Sequence, residues 1–157
     1  MQKFDTPAPV FAQVDIAAGR IQFIAADRSD TVVEVRPADA ASGRDVKAAE
    51  QTTAGYDAGV LRIAGPAGHR LLGPSGSVEV TVQLPAGSRV AATAASVEFR
   101  AVGRLGEVAL DSPRATVKID EAASARLTIL DGDVSVGRLT GPAEFHVSRG
   151  DVTVGGN

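Results

Sequence analysis

A repeat in the second half of the chain constrains the possible folds more than any other feature. Four copies each contain two short apolar–x–apolar segments, and the second segment of a copy starts seven residues after the first. Successive copies start 18, 19 and 18 residues apart. The first segments are Val90–Ala92, Val108–Leu110, Leu127–Ile129 and Phe145–Val147, and the second segments are Val97–Phe99, Ala115–Val117, Val134–Val136 and Val152–Val154.

The repeat predicts short strands that stack on one another. All sixteen aligned sites are apolar, whereas a chain with 44% hydrophobic residues predicts about seven. Apolar residues two apart indicate strands with one face inward and one outward. A period of this length is typical of coils that bury their apolar faces on their neighbours. We therefore predict an all-β fold in which residues 88–157 form a parallel β-solenoid of about four coils of 18–19 residues.

The first half of the chain is also predicted to be β, without the tight repeat. Strand patterns lie at residues 14–16, 21–24, 31–35, 60–63 and 78–84, and Asp57-Ala58-Gly59 signals a hairpin between residues 48–56 and the strand at 60–63. Residues 38–47 and 64–77 are predicted to be loops; one helical turn is the alternative within 38–47, where Gly43 and the lack of an apolar stripe argue against a long helix. We expect residues 1–87 to form an antiparallel-leaning section that caps the coils of 88–157, with both parts packed as one continuous domain.

Composition excludes several classes of function. The chain has no cysteine, so a disulfide framework and a thiolate metal site are both impossible. A net charge of −3 with scattered cations argues against a nucleic-acid partner. We find no signal-peptide pattern and no apolar stretch long enough to span a membrane, and therefore expect a cytoplasmic protein.

The chain resembles a bacterial family of β-strand-repeat proteins of unknown function, often labelled putative adhesins. The resemblance lies in the segment 76–90, in Gly132-Asp133-Val134-Ser135-Val136 and in Gly150-Asp151-Val152-Thr153-Val154. Phe4-Asp5-Thr6-Pro7 and residues 19–23 are similar to its signal-less intracellular branch. The resemblance implies a β-solenoid, and it implies no activity, catalytic residue or cofactor.

Residue types that commonly carry chemistry are present but do not form a recognisable site. His146 is predicted to be an outward surface histidine, and His69 lies in the Gly/Pro-rich loop, so no transition-metal site is expected. The Asp-Gly-Asp and Arg-Gly-Asp corners at 131–133 and 149–151 suggest calcium, but the other two copies lack matching carboxylates. Turn aspartates that bond to nearby backbone amides explain these corners better. The outward residues of the second segments are mostly neutral, and Glu98 with Lys118 is predicted to be a surface contact between coils. We predict no catalytic, cofactor or metal site.

The sequence favours a non-enzymatic scaffold or interaction protein. The last copy of the repeat is followed by three residues, so its strands are expected to present an uncapped edge made by Phe145, Val147, Val152 and Val154. Such an edge predicts a homo-oligomer or an unidentified protein partner. The alternative is a small-molecule or glycan-binding module, or less plausibly an enzyme, that uses the loops 38–47 and 64–77.

Overall fold

A computed structural model describes residues 2–65 and 76–155 of the chain. These residues form twelve strands and one helix. The elements are β1 (Gln2–Asp5), β2 (Phe11–Asp15), β3 (Ala18–Ala26), β4 (Asp30–Pro37), α1 (Gly43–Gln51), β5 (Thr53–Asp57), β6 (Val60–Ala64), β7 (Ser77–Pro85), β8 (Arg89–Thr93), β9 (Ser96–Asp131), β10 (Val134–Leu139), β11 (Ala143–Arg149) and β12 (Val152–Val154). The all-β prediction is confirmed.

The strands belong to one mixed sheet that curls round a single core. Its main path runs β1-β4-β7-β3-β9-β8-β2-β6-β5, and β10, β11 and β12 join it beyond β9. The two strands at the ends of this path come together, because the rings of Phe4 on β1 and Tyr56 on β5 lie 5.9 Å apart between centroids. The sheet is therefore a nearly closed barrel.

This architecture corrects the predicted fold class. The parallel β-solenoid with an antiparallel-leaning cap is wrong, because the sheet mixes parallel and antiparallel pairing and forms a nearly closed barrel. Three pairs are antiparallel (β1–β4, β4–β7 and β5–β6), but β2 and β3 of the supposed cap pair in parallel on both sides, inside the sheet. The 18-residue period corresponds to the sequence separation of residues paired on adjacent strands. It does not indicate where the strands of the first half of the chain lie in the sheet.

In the structure, equivalent residues of successive copies are paired on adjacent strands. Val90 pairs with Val108, Leu127 with Phe145 and Val134 with Val152, each in parallel. One alignment differs, because Val134 pairs with Val117 and not with Ala115. A shift of two residues keeps every side chain on its face of the sheet, so the apolar pattern cannot distinguish the two registers.

Helix α1 replaces part of a predicted loop. The segment 38–47 is predicted to be a loop with at most one helical turn, but the chain is helical from Gly43 to Gln51, and its Ala48 is buried. The hydroxyl of Ser42 accepts a hydrogen bond from the backbone N–H of Asp45 at 3.3 Å and so caps the helix. The carboxylate of Asp45 accepts a bond from the N–H of Ser77 at 2.7 Å, which fixes the start of β7 to the helix. The hairpin at 57–59 is confirmed as β5–β6, although α1 occupies residues 48–51 of its predicted first arm. Of the loop 64–77, residues 66–75 lie outside the described part of the chain.

The core is filled by aliphatic side chains that alternate with outward ones along each strand. The burial of β7 alternates from Ser77 to Leu84, with Val78, Val80, Val82 and Leu84 inside. Two fully buried aromatic rings, Phe23 on β3 and Phe99 on β9, pack with centroids 5.7 Å apart. Each such buried side chain contributes about 1.5–3 kcal/mol through removal of apolar area from water, so this core drives the folding.

Candidate interaction surface

The apolar core is incompletely covered at the end of the sheet that carries β11 and β12. The twelve repeat sites of the first three copies are all buried. The four sites of the last copy are half-buried or exposed, and they are Phe145, Val147, Val152 and Val154. We call these four residues the end surface.

The exposure of the end surface is not due to outward side chains. Phe145 and Val147 are in register with the fully buried Leu127 and Ile129. Val152 and Val154 are in register with the buried Val134 and Val136, but remain 41% and 44% exposed. Because residues paired side by side lie on the same face of a sheet, all four side chains point toward the core side. They are exposed because the next layer of side chains is absent from the described residues.

The backbone at this end has an open edge as well. Within residues 2–65 and 76–155, β11 pairs with β9 alone and β12 with β10 alone. Each of the two strands therefore has one edge without a partner strand in that part of the chain. Unpaired N–H and C=O groups along an edge can accept another strand.

A ladder of alternating charges lies beside the first strand of every repeat. The residues that immediately precede the four copies are Arg89, Glu107, Arg126 and Glu144. Arg89 and Glu107 lie 3.8 Å apart, and the Nε of Arg126 lies 3.2 Å from a carboxylate oxygen of Glu144. The guanidinium of Arg89 also lies 4.7 Å above the ring of Phe11. Glu107, Arg126 and Glu144 line a shallow cleft of about 420 Å³.

The ladder ends at β11 in a second polar contact. The Nε2 of His146 lies 3.2 Å from the other carboxylate oxygen of Glu144. The imidazole of His146 and the nearby guanidinium of Arg126 together lower the pKa of the Glu144 carboxyl. Glu144 and His146 lie on the outer face of β11, beside the apolar Phe145, so an acid and a base flank the end surface.

Where the structure describes them, the other residues considered in the sequence form surface or backbone contacts. The outward position of His146 is confirmed, and His69 lies outside the described residues. The carboxylate of Asp133 accepts a bond from the N–H of Asp151 at 3.0 Å, so it joins equivalent corners of two successive copies, and the predicted bond within its own turn is not what this contact shows. Glu98 contacts Arg20 at 2.7 Å rather than the predicted Lys118.

Sequence reasoning missed the charge ladder, although its signal is visible. Arg, Glu, Arg and Glu occupy one position of four successive copies, and this alternation becomes meaningful once parallel pairing places the copies side by side. In the described part of the chain, no helix is long and apolar enough to cross a membrane. The cytoplasmic location stays a prediction.

Comparison with known proteins supports the fold. No family model matches the chain, and no curated protein matches it. The structure is similar to that of a putative cell adhesion protein from Clostridium sporogenes, with a TM-score of 0.65 and 9% identity over 98% of this chain and 97% of that one. It also matches a putative adhesin from Bacteroides fragilis, with a TM-score of 0.30 and 7% identity over 98% of this chain and 95% of that one.

These similarities set a limit on identification. At 9% identity, the similarity to the Clostridium sporogenes protein shows a shared fold and nothing about function. The TM-score of the Bacteroides fragilis protein is too low to support a conclusion about either. The resemblance to bacterial adhesin-like proteins is thus supported at the level of the fold. Membership of a signal-less branch stays a prediction.

Proposed function

We propose that this protein is a non-enzymatic interaction module that self-associates through the end surface. One observation carries the proposal: four inward-facing apolar side chains remain partly exposed where their twelve counterparts in the other copies are buried. Apolar side chains that face the core side but stay in contact with water gain free energy when another surface covers them.

The open edges of β11 and β12 are a second source of binding free energy for self-association. Addition of a strand to an exposed edge forms main-chain hydrogen bonds, while the side chains of alternate residues give specificity. Two adjoining open edges and an uncovered apolar layer favour a partner that continues the sheet rather than a small molecule.

A second copy of the chain is the partner that the local charges favour. Glu144 and His146 lie two residues apart on the outer face of β11, so the strand carries both members of a complementary pair. A strand of this kind can pair with an identical strand without placing like charges opposite each other. The description of the Clostridium sporogenes protein as a putative cell adhesion protein is compatible with a role in binding.

Light scattering over a wide concentration range tests the proposal. From about 1 µM to about 1 mM, we expect the mass to rise from that of the monomer, 16.0 kDa, to that of a dimer. A monomer at every concentration would contradict self-association. Attention would then turn to the alternative, a ligand-binding module that uses residues 38–47 and 64–77, which limited proteolysis with and without a metabolite pool would examine.

A further inference from the structure

We infer that two copies join through antiparallel β11 strands related by a two-fold axis at Phe145, which places Glu144 opposite the partner's His146. The inference rests on the proposed self-association and specifies its register. The register follows from the faces of β11 and from the charges on them.

The two-fold axis must pass through a residue of β11 and not between two residues. Strands related by a two-fold axis perpendicular to the sheet are antiparallel, and side chains alternate between its faces. An axis between two residues would place an inward side chain of one copy opposite an outward one of the other, as in a slip of one residue. Only an axis on a residue brings the apolar faces of both copies to the same side.

Charge and size then select among the possible centres. An axis at Glu144 would place two carboxylates opposite each other, and an axis at His146 would place two imidazoles together. An axis at Val147 would bring Phe145 against the partner's Arg149. All three centres lose complementarity on one face of the sheet.

An axis at Phe145 avoids these conflicts. Glu144 lies opposite the partner's His146 twice, once on each side of the axis. On the inner face, Phe145 meets its counterpart and Ala143 lies opposite the partner's Val147. Every cross-strand pair among residues 143–147 is then apolar with apolar or acid with base, and the Arg126–Glu144 contact lies one strand behind the new interface.

Disulfide trapping can measure this register because the native chain has no cysteine. The variants are Glu144→Cys and His146→Cys, each alone and mixed in equal amounts. Residues directly opposite in an antiparallel pair have Cα atoms about 4.5–5.5 Å apart, within the range of a disulfide. In the inferred register, a cysteine at 144 or 146 is offset by two residues along the strand from the same cysteine of the second copy. The Cα atoms of these two cysteines are about 8 Å apart, which is too far for a disulfide.

We expect the mixture to form a disulfide-linked dimer under mild oxidation and each variant alone to remain unlinked on a non-reducing gel. Circular dichroism and light scattering of each variant establish that it folds and associates. Efficient linkage of His146→Cys alone, or of Glu144→Cys alone, would overturn the inferred centre.

A wild-type dimer without linkage in the mixture would overturn the register while leaving self-association intact. A monomeric wild-type protein would overturn both proposals. The two failures are thus distinguishable.

Discussion

Lysine at the end surface should weaken self-association. Val154 and Val152 lie on the core side of β12 and keep 44% and 41% of their surface exposed. Replacement by Val154→Lys removes apolar area that a second copy would cover, and it adds a cation beside the same residues of that copy. The double variant Val152→Lys/Val154→Lys doubles both effects.

The size of the effect follows from the exposed fractions. Complete burial of a valine side chain contributes about 1.5 kcal/mol, so covering the exposed part of Val154 contributes about 0.7 kcal/mol per copy. A symmetric dimer covers this residue twice, which gives about 1.3 kcal/mol, or about a tenfold rise in the dimer Kd. We expect about 100-fold for the double variant, before any charge repulsion is added.

Sedimentation equilibrium or concentration-dependent light scattering measures these Kd values. The matched control is Leu130→Lys, which places the same charge on another exposed apolar residue (59% exposed), on β9 rather than on an edge strand. We expect this control to change Kd by less than about threefold, as is usual for surface substitutions. A double variant that associates as tightly as the wild type would refute the reasoning, because the end surface would then not be the contact.

Three further predictions concern the fold. Gly132→Ala should lower the free energy of unfolding by about 2 kcal/mol or more in urea titrations, because the φ of Gly132 is +149° and a Cβ would lie 1.7 Å from a backbone oxygen. The control is Gly55→Ala, which has open space around it and should lower the free energy of unfolding far less. Phe99→Ala should cost about 3–5 kcal/mol, and a loss below 1 kcal/mol would contradict its place in the core. The hydrogen bond from Arg28 lowers the pKa of Asp30 from its usual 3.8, so the folded state binds fewer protons than the unfolded state and is stabilised above that pH. The stability advantage over Asp30→Asn should therefore be full at neutral pH and shrink as pH falls below about 3.8 in chemical unfolding; an advantage independent of pH would contradict the pairing.

The strands were predictable because their signal is local. In β7 the alternation of Val78, Val80 and Val82 with polar residues identifies both the strand and its buried face without knowledge of any neighbour. Helix α1 carried a weaker local signal, Ser42 followed three residues later by Asp45, which fits an N-cap. Gly43 and the lack of an apolar stripe obscured it, since the helix buries only Ala48 among its own residues.

The candidate surface was predictable in part. From their place in the last copy, the sequence predicts that Phe145, Val147, Val152 and Val154 form an uncapped edge. All four lie at the incompletely covered end of the core, and their role in self-association stays a prediction. The flanking contacts of Glu144 with Arg126 and His146 were not identified, because they join residues on adjacent strands and depend on which strands are neighbours.

By itself the sequence determined the strands of the repeat and those at β3, β4, β6 and β7, together with their inward faces and the spacing of about 18 residues between paired neighbours, since these properties follow from the alternation of apolar and polar side chains along the chain. Only the tertiary structure decided that β2 and β3 lie inside the sheet, that Val134 pairs with Val117, and that Phe4 meets Tyr56 to bring the ends of the barrel together. Strand order and closure depend on contacts between residues far apart in the chain. A periodic apolar pattern satisfies several such arrangements equally well, and the full set of packed side chains selects one.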